Sequence, residues 1–222
     1  MLQHRAVLKQ DDELLLPERE LRQEGFSFIA GVDEAGRGPL AGPVTAAAVI
    51  LPADVEELPG VFDSKQLKES EREELFAALY AVPGIRISVA SATPEEIDRL
   101  NILRATHEAM RRAVAGLQEA DFVLVDGLPV QFLLPSKNIV KGDARCASIA
   151  AASIIAKVTR DREMMKLDEQ YPQYGFAKHK GYGTVDHLEA LQKYGPLPVH
   201  RKSFCPVYEL LPDTPVQGML DI

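Results

Sequence analysis

Two adjacent carboxylates, Asp33 and Glu34, stand where a short apolar run meets a stretch rich in glycine. Residues 26–30 are mostly apolar, and an apolar run that ends at glycine and proline predicts a buried strand leaving a sheet. Because neighbouring side chains on a strand point to opposite faces, one of the two carboxylates must reach inward if the strand is central. A buried carboxylate needs a cation or strong donors. The pair is therefore a candidate site, although a turn with ordinary surface acids also fits it.

The next segment carries glycine at positions 36, 38 and 42, with Arg37 among them. Glycine lets a backbone come very close to a ligand, and arginine is a donor suited to phosphate. The spacing does not fit the dinucleotide-binding fingerprint, whose third glycine comes three residues after the second, close to the start of a helix. Residues 44–51 instead predict a second strand, so the loop joins two strands that we expect to be antiparallel.

Two further aspartates stand next to predicted elements later in the chain. Residues 122–125 form a continuous apolar run, typical of a strand buried on both faces, and Asp126 ends it. Open α/β sheets place ligands at such strand ends, although an aspartate in a simple turn is the alternative. Asp143 precedes residues 147–157, an alanine- and serine-rich segment that predicts a helix packed closely on the sheet. Asp143 could cap that helix, and capping does not exclude metal binding.

Composition limits the class of protein. The chain has 222 residues, of which 46% are hydrophobic, enough for a single sizeable core. No stretch approaches the ~18 apolar residues of a membrane span, and the first residues lack the apolar core of a signal peptide. The two cysteines are too few for a disulfide framework. We therefore expect a cytoplasmic protein with one main domain.

The net charge of −8 is unevenly distributed. Residues 137–202 contain twelve Lys and Arg against seven Asp and Glu, whereas residues 1–136 contain thirteen against twenty-three. Within the basic part, residues 178–184 interleave lysine with tyrosine and glycine, a pattern typical of a nucleic-acid surface. A basic loop with tyrosines is the plainer interpretation. The distribution predicts weak overall binding of duplexes, with one local face in contact.

Capping signals predict where two helices begin. Ser70 with Glu73 matches a capping box, and Thr93 with Glu96 matches another, with proline at the first helical position. The second helical pattern is expected to break near Asn101 into two helices.

The motif Gly-Val-Asp-Glu-Ala-Gly-Arg-Gly-Pro-Leu-Ala-Gly, at residues 31–42, resembles the signature of ribonuclease HII, the type 2 ribonucleases H. The resemblance covers roughly residues 26–207 and includes Asp-Ser-Lys at 63–65, Lys-Gly-Asp at 141–143 and His-Lys-Gly-Tyr-Gly-Thr at 179–184. It implies an α/β, ribonuclease H-like fold. That fold is a five-stranded mixed sheet with three antiparallel strands first, flanked by helices and followed by a C-terminal helical and loop extension.

The same resemblance implies the site residues and their cofactors. Four carboxylates would bind two divalent ions, Mg²⁺ or Mn²⁺, and carry the reaction: Asp33, Glu34, Asp126 and Asp143. Brought together, they would repel one another and raise each other's pKa, so cations would be needed to stabilise them at neutral pH. All-oxygen ligation suits these two ions. A second set is expected to contact the substrate: Gly36, Arg37, Gly38, Lys65, Lys180, Tyr182 and Arg201.

The implied substrate is the RNA strand of an RNA–DNA hybrid, or a ribonucleotide embedded in duplex DNA. A two-metal-ion mechanism would cut 5′ to the ribonucleotide and leave a 3′-hydroxyl and a 5′-phosphate. Discriminating RNA from DNA requires reading the 2′-hydroxyl, and Tyr182 with the backbone of residues 36–38 is expected to do so. The resemblance also implies a role in removing misincorporated ribonucleotides, and we expect a monomer.

Three alternatives stay open at this point. The sister type HIII enzyme would cut hybrids without the same preference for isolated ribonucleotides, but it usually carries an N-terminal domain, for which 25 residues are too few. A metal-dependent phosphatase would share the acids but would not need Tyr182 or the basic second half. A non-catalytic hybrid-binding module would need the basic face but not four acids.

We expect three parts in the chain: a peripheral N-terminal segment at 1–25, a catalytic domain at 26–210 and a flexible tail at 211–222. In the tail, Gln217, Leu220 and Ile222 have the spacing Gln-x-x-Leu-x-apolar, which resembles peptides that dock into bacterial sliding clamps. A frayed end, or a strap packed on its own domain, is the alternative.

Overall fold

The computed structural model describes residues 13–53, 55 and 68–211. Lys65, which was expected to contact substrate, lies outside the described residues, as do the three tail residues expected to bind a sliding clamp.

A five-stranded mixed sheet forms the centre of the protein, in the order β3-β2-β1-β4-β5. Its strands are β1 (Ile29–Ala35), β2 (Val44–Ile50), β3 (Arg86–Ala92), β4 (Phe122–Asp126) and β5 (Ser136–Ile139). Strand β2 pairs antiparallel with both β1 and β3, whereas β4 runs parallel to β1 and β5 runs parallel to β4. The predicted ribonuclease H-like sheet is confirmed.

Helices cover both faces of the sheet and form the C-terminal part. They are α1 (Leu16–Gln23), α2 (Glu69–Ala81), α3 (Pro94–Leu100), α4 (Ile102–Ala115), α5 (Ala147–Gln170), α6 (Phe176–His179) and α7 (Val185–Tyr194). Within the described ranges, no helix is both long and apolar enough to cross a membrane.

The two faces of the sheet have different partners because strand side chains alternate. One face carries Ala46 and Ala48 of β2 and packs on α3 and α4. The other carries Ala47 and Val49 and packs on α5 and the end of α2. Alanine on both α5 and β2 lets the helix approach closely, and at Gly31 a Cβ would lie 2.3 Å from the Ser148 backbone carbon. The small residues of α5 therefore fix its distance from the strand that carries Asp33.

Helix α1 packs against the body of the protein along one side. Leu14 and Leu15, just before it, are buried, and Glu18 is 1% exposed. Glu18 Oε1 accepts hydrogen bonds from the Ser148 N–H at 2.8 Å and from the Cys146 thiol at 3.1 Å. A carboxylate at a helix N-terminus satisfies backbone donors and interacts favourably with the helix dipole. The prediction of a peripheral N-terminal segment, like the division of the chain into three parts, stays a prediction.

The capping box predicted at Thr93 is confirmed. Thr93 Oγ1 accepts the Glu96 N–H at 3.2 Å, and Glu96 Oε2 accepts the Thr93 N–H at 2.9 Å. The predicted break also lies at Asn101, which has φ 67° and whose side chain accepts the Arg104 N–H at the start of α4.

The capping box predicted at Ser70 is wrong. Helix α2 begins two residues earlier than this box predicts, at Glu69, with Lys68 as its N-cap. Glu71 accepts the Lys68 N–H at 2.6 Å, while Glu73 forms an ion pair with Arg162 on α5. The Glu73 carboxylate therefore pairs with α5, although the local sequence pattern predicted that it would accept a hydrogen bond at the start of α2.

Candidate active site

The ends of two neighbouring parallel strands bring Asp33 and Asp126 together. Val32 of β1 pairs with Val125 of β4, and each is followed by its aspartate. Asp33, Glu34 and Asp126 line one cleft of about 420 Å³. The sheet topology therefore gathers three of the four predicted acids at one place.

Asp33 is the most buried of these three acids, with 6% of its surface exposed. Burial raises its pKa well above the ordinary value, and the nearby charges of Glu34 and Asp126 raise it further. The Glu34 N–H, which donates to Asp33 Oδ1 at 2.7 Å, and the Ser153 hydroxyl oppose this shift. Two donors do not offset the combined effect of burial and repulsion, so this site favours a neutral acid or a bound cation.

Glu34 is less deeply placed and has a cationic neighbour. Burial raises its pKa, and the charge of Asp126 adds to this, whereas the Arg37 guanidinium lowers it. Arg37 Nη1 lies 3.4 Å from Glu34 Oε1, and nearly half of the Arg37 side chain is exposed. Arg37 is thus held at the mouth of the cleft, where it could also contact a phosphate.

Asp143 lies beside the cleft and is buried, with 7% exposed. It belongs to a 3₁₀ turn, Gly142–Ala144, whose Gly142 N–H donates to Asp126 Oδ1 at 2.5 Å. A Cβ at Gly142 would lie 3.2 Å from that same oxygen, so the turn sits directly against Asp126. The alternative that Asp143 caps the following helix is wrong, because α5 begins at Ala147 and its N-cap is Cys146.

The acids do not form a finished metal cage. Across the parts of the chain that the structure describes, no three Asp, Glu, His or Cys side chains stand close enough together to hold an ion. Three carboxylates share the cleft and the fourth adjoins it through Gly142. The four-ligand set therefore stays a prediction.

Two buried arginines hold the glycine-rich loop. Arg201 is fully buried and donates to the carbonyl oxygens of Gly36, Arg37, Gly42 and Pro43. Arg160 is 1% exposed and donates to the carbonyls of Ala41, Pro43 and Lys180. Burial, together with the charge of Arg160, lowers the pKa of Arg201 to about 9. The loop's shape thus depends on two guanidinium groups that are bound to carbonyl oxygens.

Arg201 was predicted to bind substrate, and its position corrects that prediction. A side chain without exposed surface that donates to four carbonyls cannot reach a substrate in this arrangement. Arg201 instead influences substrate binding through the glycine-rich loop that it holds.

Tyr182 lies across from the glycine-rich loop. It is 46% exposed, lines the same cleft as the acids, and its ring carbon Cε1 would be 3.6 Å from a Cβ at Gly38. Lys180, two residues earlier, is less available, since its Nζ donates to the Ala177 carbonyl at 2.7 Å and pairs with Glu69 at 3.2 Å. Of the two, Tyr182 is the residue placed to touch a ligand that enters the cleft.

The sequence matches the family model described as Ribonuclease HII over residues 30–207. It is also 54% identical over 207 residues to the Ribonuclease HII of Geobacillus kaustophilus, an alignment that covers 93% of this chain and 79% of the relative. The chain belongs to the ribonuclease HII family. It is accordingly a ribonuclease H, a hydrolase that acts as an endonuclease, and the phosphatase and non-catalytic alternatives are set aside.

Solved structures agree with this assignment. The structure of ribonuclease HII from Archaeoglobus fulgidus, in a complex with PCNA, has a TM-score of 0.70 and 29% identity and covers 80% of this chain and 95% of that one. A ribonuclease HIII called Bst-RNase HIII, in complex with Mn²⁺, has a TM-score of 0.69 at 20% identity and covers 85% of this chain and 70% of that one. The second likeness shows a shared fold alone.

Sequence reasoning missed several residues that complete the cleft. Ser153, Lys157 and Arg160 of α5 line it, and the Ser153 side chain lowers the pKa of Asp33. Lys157 also pairs with Asp161 at 2.7 Å. The spacing of these side chains at i, i+4 and i+7 could have indicated one helix face, but only the docking of α5 shows that this face meets the acids.

Proposed function

We propose that this enzyme hydrolyses the RNA strand of RNA–DNA hybrids and also cuts duplex DNA 5′ to an embedded ribonucleotide. The products carry 3′-hydroxyl and 5′-phosphate ends, and the biological role is removal of misincorporated ribonucleotides. One observation carries the proposal: Tyr182 and the backbone of the glycine-rich loop face each other across the cleft that contains the acids. A group that reads one sugar thus lies next to groups that cut one phosphodiester.

The acids fit a pair of divalent cations. Their donors are carboxylate oxygens, which Mg²⁺ and Mn²⁺ prefer, and burial together with mutual repulsion raises the pKa of Asp33 and Glu34. Asp33, Glu34, Asp126 and Asp143 would hold the ions. When bound, two such ions supply an activated water and stabilise the leaving oxygen of an in-line displacement. The Bst-RNase HIII structure contains Mn²⁺, which supports a divalent cofactor in this fold.

Reading of the ribose is assigned to Tyr182 and residues 36–38. A Cβ added at Gly38 would lie 3.6 Å from the Tyr182 ring, so the loop and the ring stand side by side and a sugar placed against the ring would also meet the loop. Arg201 and Arg160 hold the loop carbonyls, which leaves the loop in one shape before substrate arrives. Preorganised contacts of this kind favour selectivity because little ordering remains to be done on binding.

Phosphate contacts are assigned to basic residues around the cleft. Arg37 is half exposed beside Glu34, and Lys157 lines the cleft from α5. Lys65 is proposed for the same role from the resemblance alone. Such contacts position a duplex and add affinity without reading sequence.

The proposal is tested with a short DNA duplex that contains one ribonucleotide, incubated with Mg²⁺, Mn²⁺ or a chelator. Cleavage with either ion, none with the chelator, and none by Asp33→Asn with either ion are expected. The all-DNA duplex is the matched control substrate. Equal cleavage of the all-DNA duplex would contradict ribose reading, and cleavage in chelator would contradict the role of divalent ions.

A sliding clamp is proposed as a partner through Gln217, Leu220 and Ile222. The match of these residues to clamp-docking peptides supports this, as does the complex of the A. fulgidus relative with PCNA. Deleting residues 215–222 should leave cleavage of a short duplex unchanged and abolish capture of the enzyme by an immobilised bacterial clamp. Capture that survives the deletion, or no capture of the intact enzyme, would contradict the proposal.

A further inference from the structure

Three buried histidines lie beneath the segment that carries Tyr182. His179, His187 and His200 are each at most 7% exposed. The rings of His179 and His187 stack with centroids 4.4 Å apart, and His187 Nε2 lies 3.1 Å from His200 Nε2. None of the three belongs to the acid cleft. The three histidines are nonetheless connected to the cleft through Tyr182, because His187 Nδ1 lies 2.9 Å from the Tyr182 carbonyl oxygen.

The hydrogen bonds of His187 and His200 assign which ring nitrogen carries the proton in each. The Leu197 N–H donates to His200 Nδ1 at 2.9 Å, so that nitrogen is an acceptor and neutral His200 carries its proton on Nε2. His200 Nε2 therefore donates to His187 Nε2, which leaves the His187 proton on Nδ1. His187 Nδ1 in turn donates to the Tyr182 carbonyl. A polar chain thus runs from Leu197 through two neutral rings to the backbone of Tyr182.

A second proton on either ring would break this series of hydrogen bonds. A proton added to His200 Nδ1 would face the Leu197 N–H, and one added to His187 Nε2 would face the His200 N–H. Burial is the main reason that the pKa of each ring is lowered to about 4, and neighbouring histidine charges lower it further. Both rings are therefore neutral near pH 7.

The backbone of Tyr182 depends on these contacts. Its carbonyl accepts from the Thr184 N–H at 2.8 Å as well as from His187, so both acceptor positions are used. Its N–H donates to the His179 carbonyl at 2.9 Å. The two preceding residues, Lys180 and Gly181, have positive φ of 51° and 83°. A left-handed conformation at a lysine is disfavoured, so surrounding contacts must hold the turn.

We propose that His187 is a positioning residue: kept in its Nδ1–H tautomer by His200, it fixes the Tyr182 backbone and thereby the placement of the ring against the glycine-rich loop. Loss of the Nδ1–H bond lets the turn relax, and the ring no longer meets the sugar correctly. This inference rests on the proposed function of Tyr182 as the ribose reader. It adds that the reading depends on a neutral histidine pair outside the cleft.

Two isosteric substitutions separate the two nitrogens of His187. In His187→Asn the amide nitrogen takes the place of Nδ1 and still donates to Tyr182, whereas in His187→Gln it takes the place of Nε2 and reaches only towards His200. We expect His187→Asn to keep kcat on a single-ribonucleotide duplex within about threefold of the unsubstituted enzyme. We expect His187→Gln to lose roughly tenfold or more in kcat with little change in KM, since small misplacements near a reacting centre are costly.

The thermal stability of the variants shows whether His187 positions Tyr182 or only supports the fold. Both variants disturb the same buried cluster, so their thermal midpoints should fall together while their kcat values diverge. Glu189→Gln, at an exposed position on the same helix, is the matched control and should change neither quantity. Equal kcat in the two His187 variants, or kcat that follows the thermal midpoint, would overturn the inference.

A Tyr182→Ala background distinguishes the inference from the proposed function. If His187 acts through Tyr182, then His187→Gln should cost nothing further once the ring is absent. A Tyr182→Ala enzyme with unchanged cleavage would contradict the ribose-reading role itself. A Tyr182→Ala enzyme that is impaired, with an additional full loss from His187→Gln, would contradict the positioning role alone.

Discussion

At the scale of single residues, the cleft concentrates negative charge that the folded chain alone does not neutralise. Asp33 is buried next to Glu34 and Asp126, and its pKa is raised by burial first and by the two neighbouring charges second. Such an arrangement opposes folding when the carboxylate is ionised and no cation is bound. Function and stability therefore make conflicting demands on this one side chain.

Asp33→Asn should therefore raise the thermal midpoint in chelator and remove cleavage. The amide keeps the acceptor for the Glu34 N–H but removes a buried charge. Because the native pKa is raised, the folded state holds its proton more strongly than the unfolded one, and the stability this gives is lost as pH rises through the raised pKa. The gain from Asp33→Asn should therefore grow with pH.

For this substitution we expect cleavage to fall by roughly 100-fold or more, since even outer-shell partners of metal ligands cost about 10–100-fold. Thermal melts in chelator at two pH values and a single-turnover assay with Mn²⁺ check both parts. A destabilised Asp33→Asn protein that still cuts would contradict this account of the cleft.

Asp143 needs its own test because it adjoins the cleft without lining it. With α5 capped at Cys146, Asp143→Asn should have little effect on the stability of that helix. If Asp143 completes the metal set, the variant should need a higher Mn²⁺ concentration for half-maximal cleavage. Cleavage with unchanged metal dependence would remove Asp143 from the predicted ligands.

At the scale of elements, the sequence predicted where the two buried strands end, but it did not predict how helix α5 packs on the sheet. The apolar runs before Asp33 and Asp126 predicted two buried strands, and general sheet geometry placed ligands at their ends. The face of α5 that carries Ser153 and Arg160 was not found, because nearly all positions near its start are small or apolar. Arg201 was assigned to substrate since a sequence shows charge but not burial.

Helix α1 gives the clearest element-scale prediction. Glu18 accepts the Ser148 N–H and the Cys146 thiol at the start of α5. Glu18→Ala removes this acceptor and should lower the free energy of unfolding by about 0.5–2 kcal/mol, the range for loss of a helix cap. Urea unfolding measures this, and Glu20→Ala, at an exposed position on the same helix, is the control. Equal values for the two variants would show that the Glu18 carboxylate contributes nothing to α5.

At the scale of the whole molecule, the buried histidines predict how stability responds to acid. Burial lowers the pKa of His187 and His200 to about 4, from ordinary values of 6.5. Between these values the unfolded chain takes up protons that the folded protein does not, so the contribution of these two histidines to stability is full above about pH 6.5 and is lost as pH drops towards about 4.

Urea unfolding across this pH range should show that decline, and His187→Asn should show a shallower one because one of the two groups is missing. The carboxylates titrate in both proteins, so the difference between the two pH dependences reports the contribution of His187. Identical pH dependence in the two proteins would contradict the neutral pair.

The central claim is that a sugar-reading face and a set of phosphodiester-cutting acids share one cleft. The most direct measurement maps the cut in a series of DNA duplexes of identical sequence, each carrying one ribonucleotide at a different position. The account predicts one cut per duplex, on the 5′ side of the ribonucleotide, which moves with it and leaves a 3′-hydroxyl. A cut that stays at one sequence while the ribonucleotide moves, or cuts spread along the duplex, would contradict it.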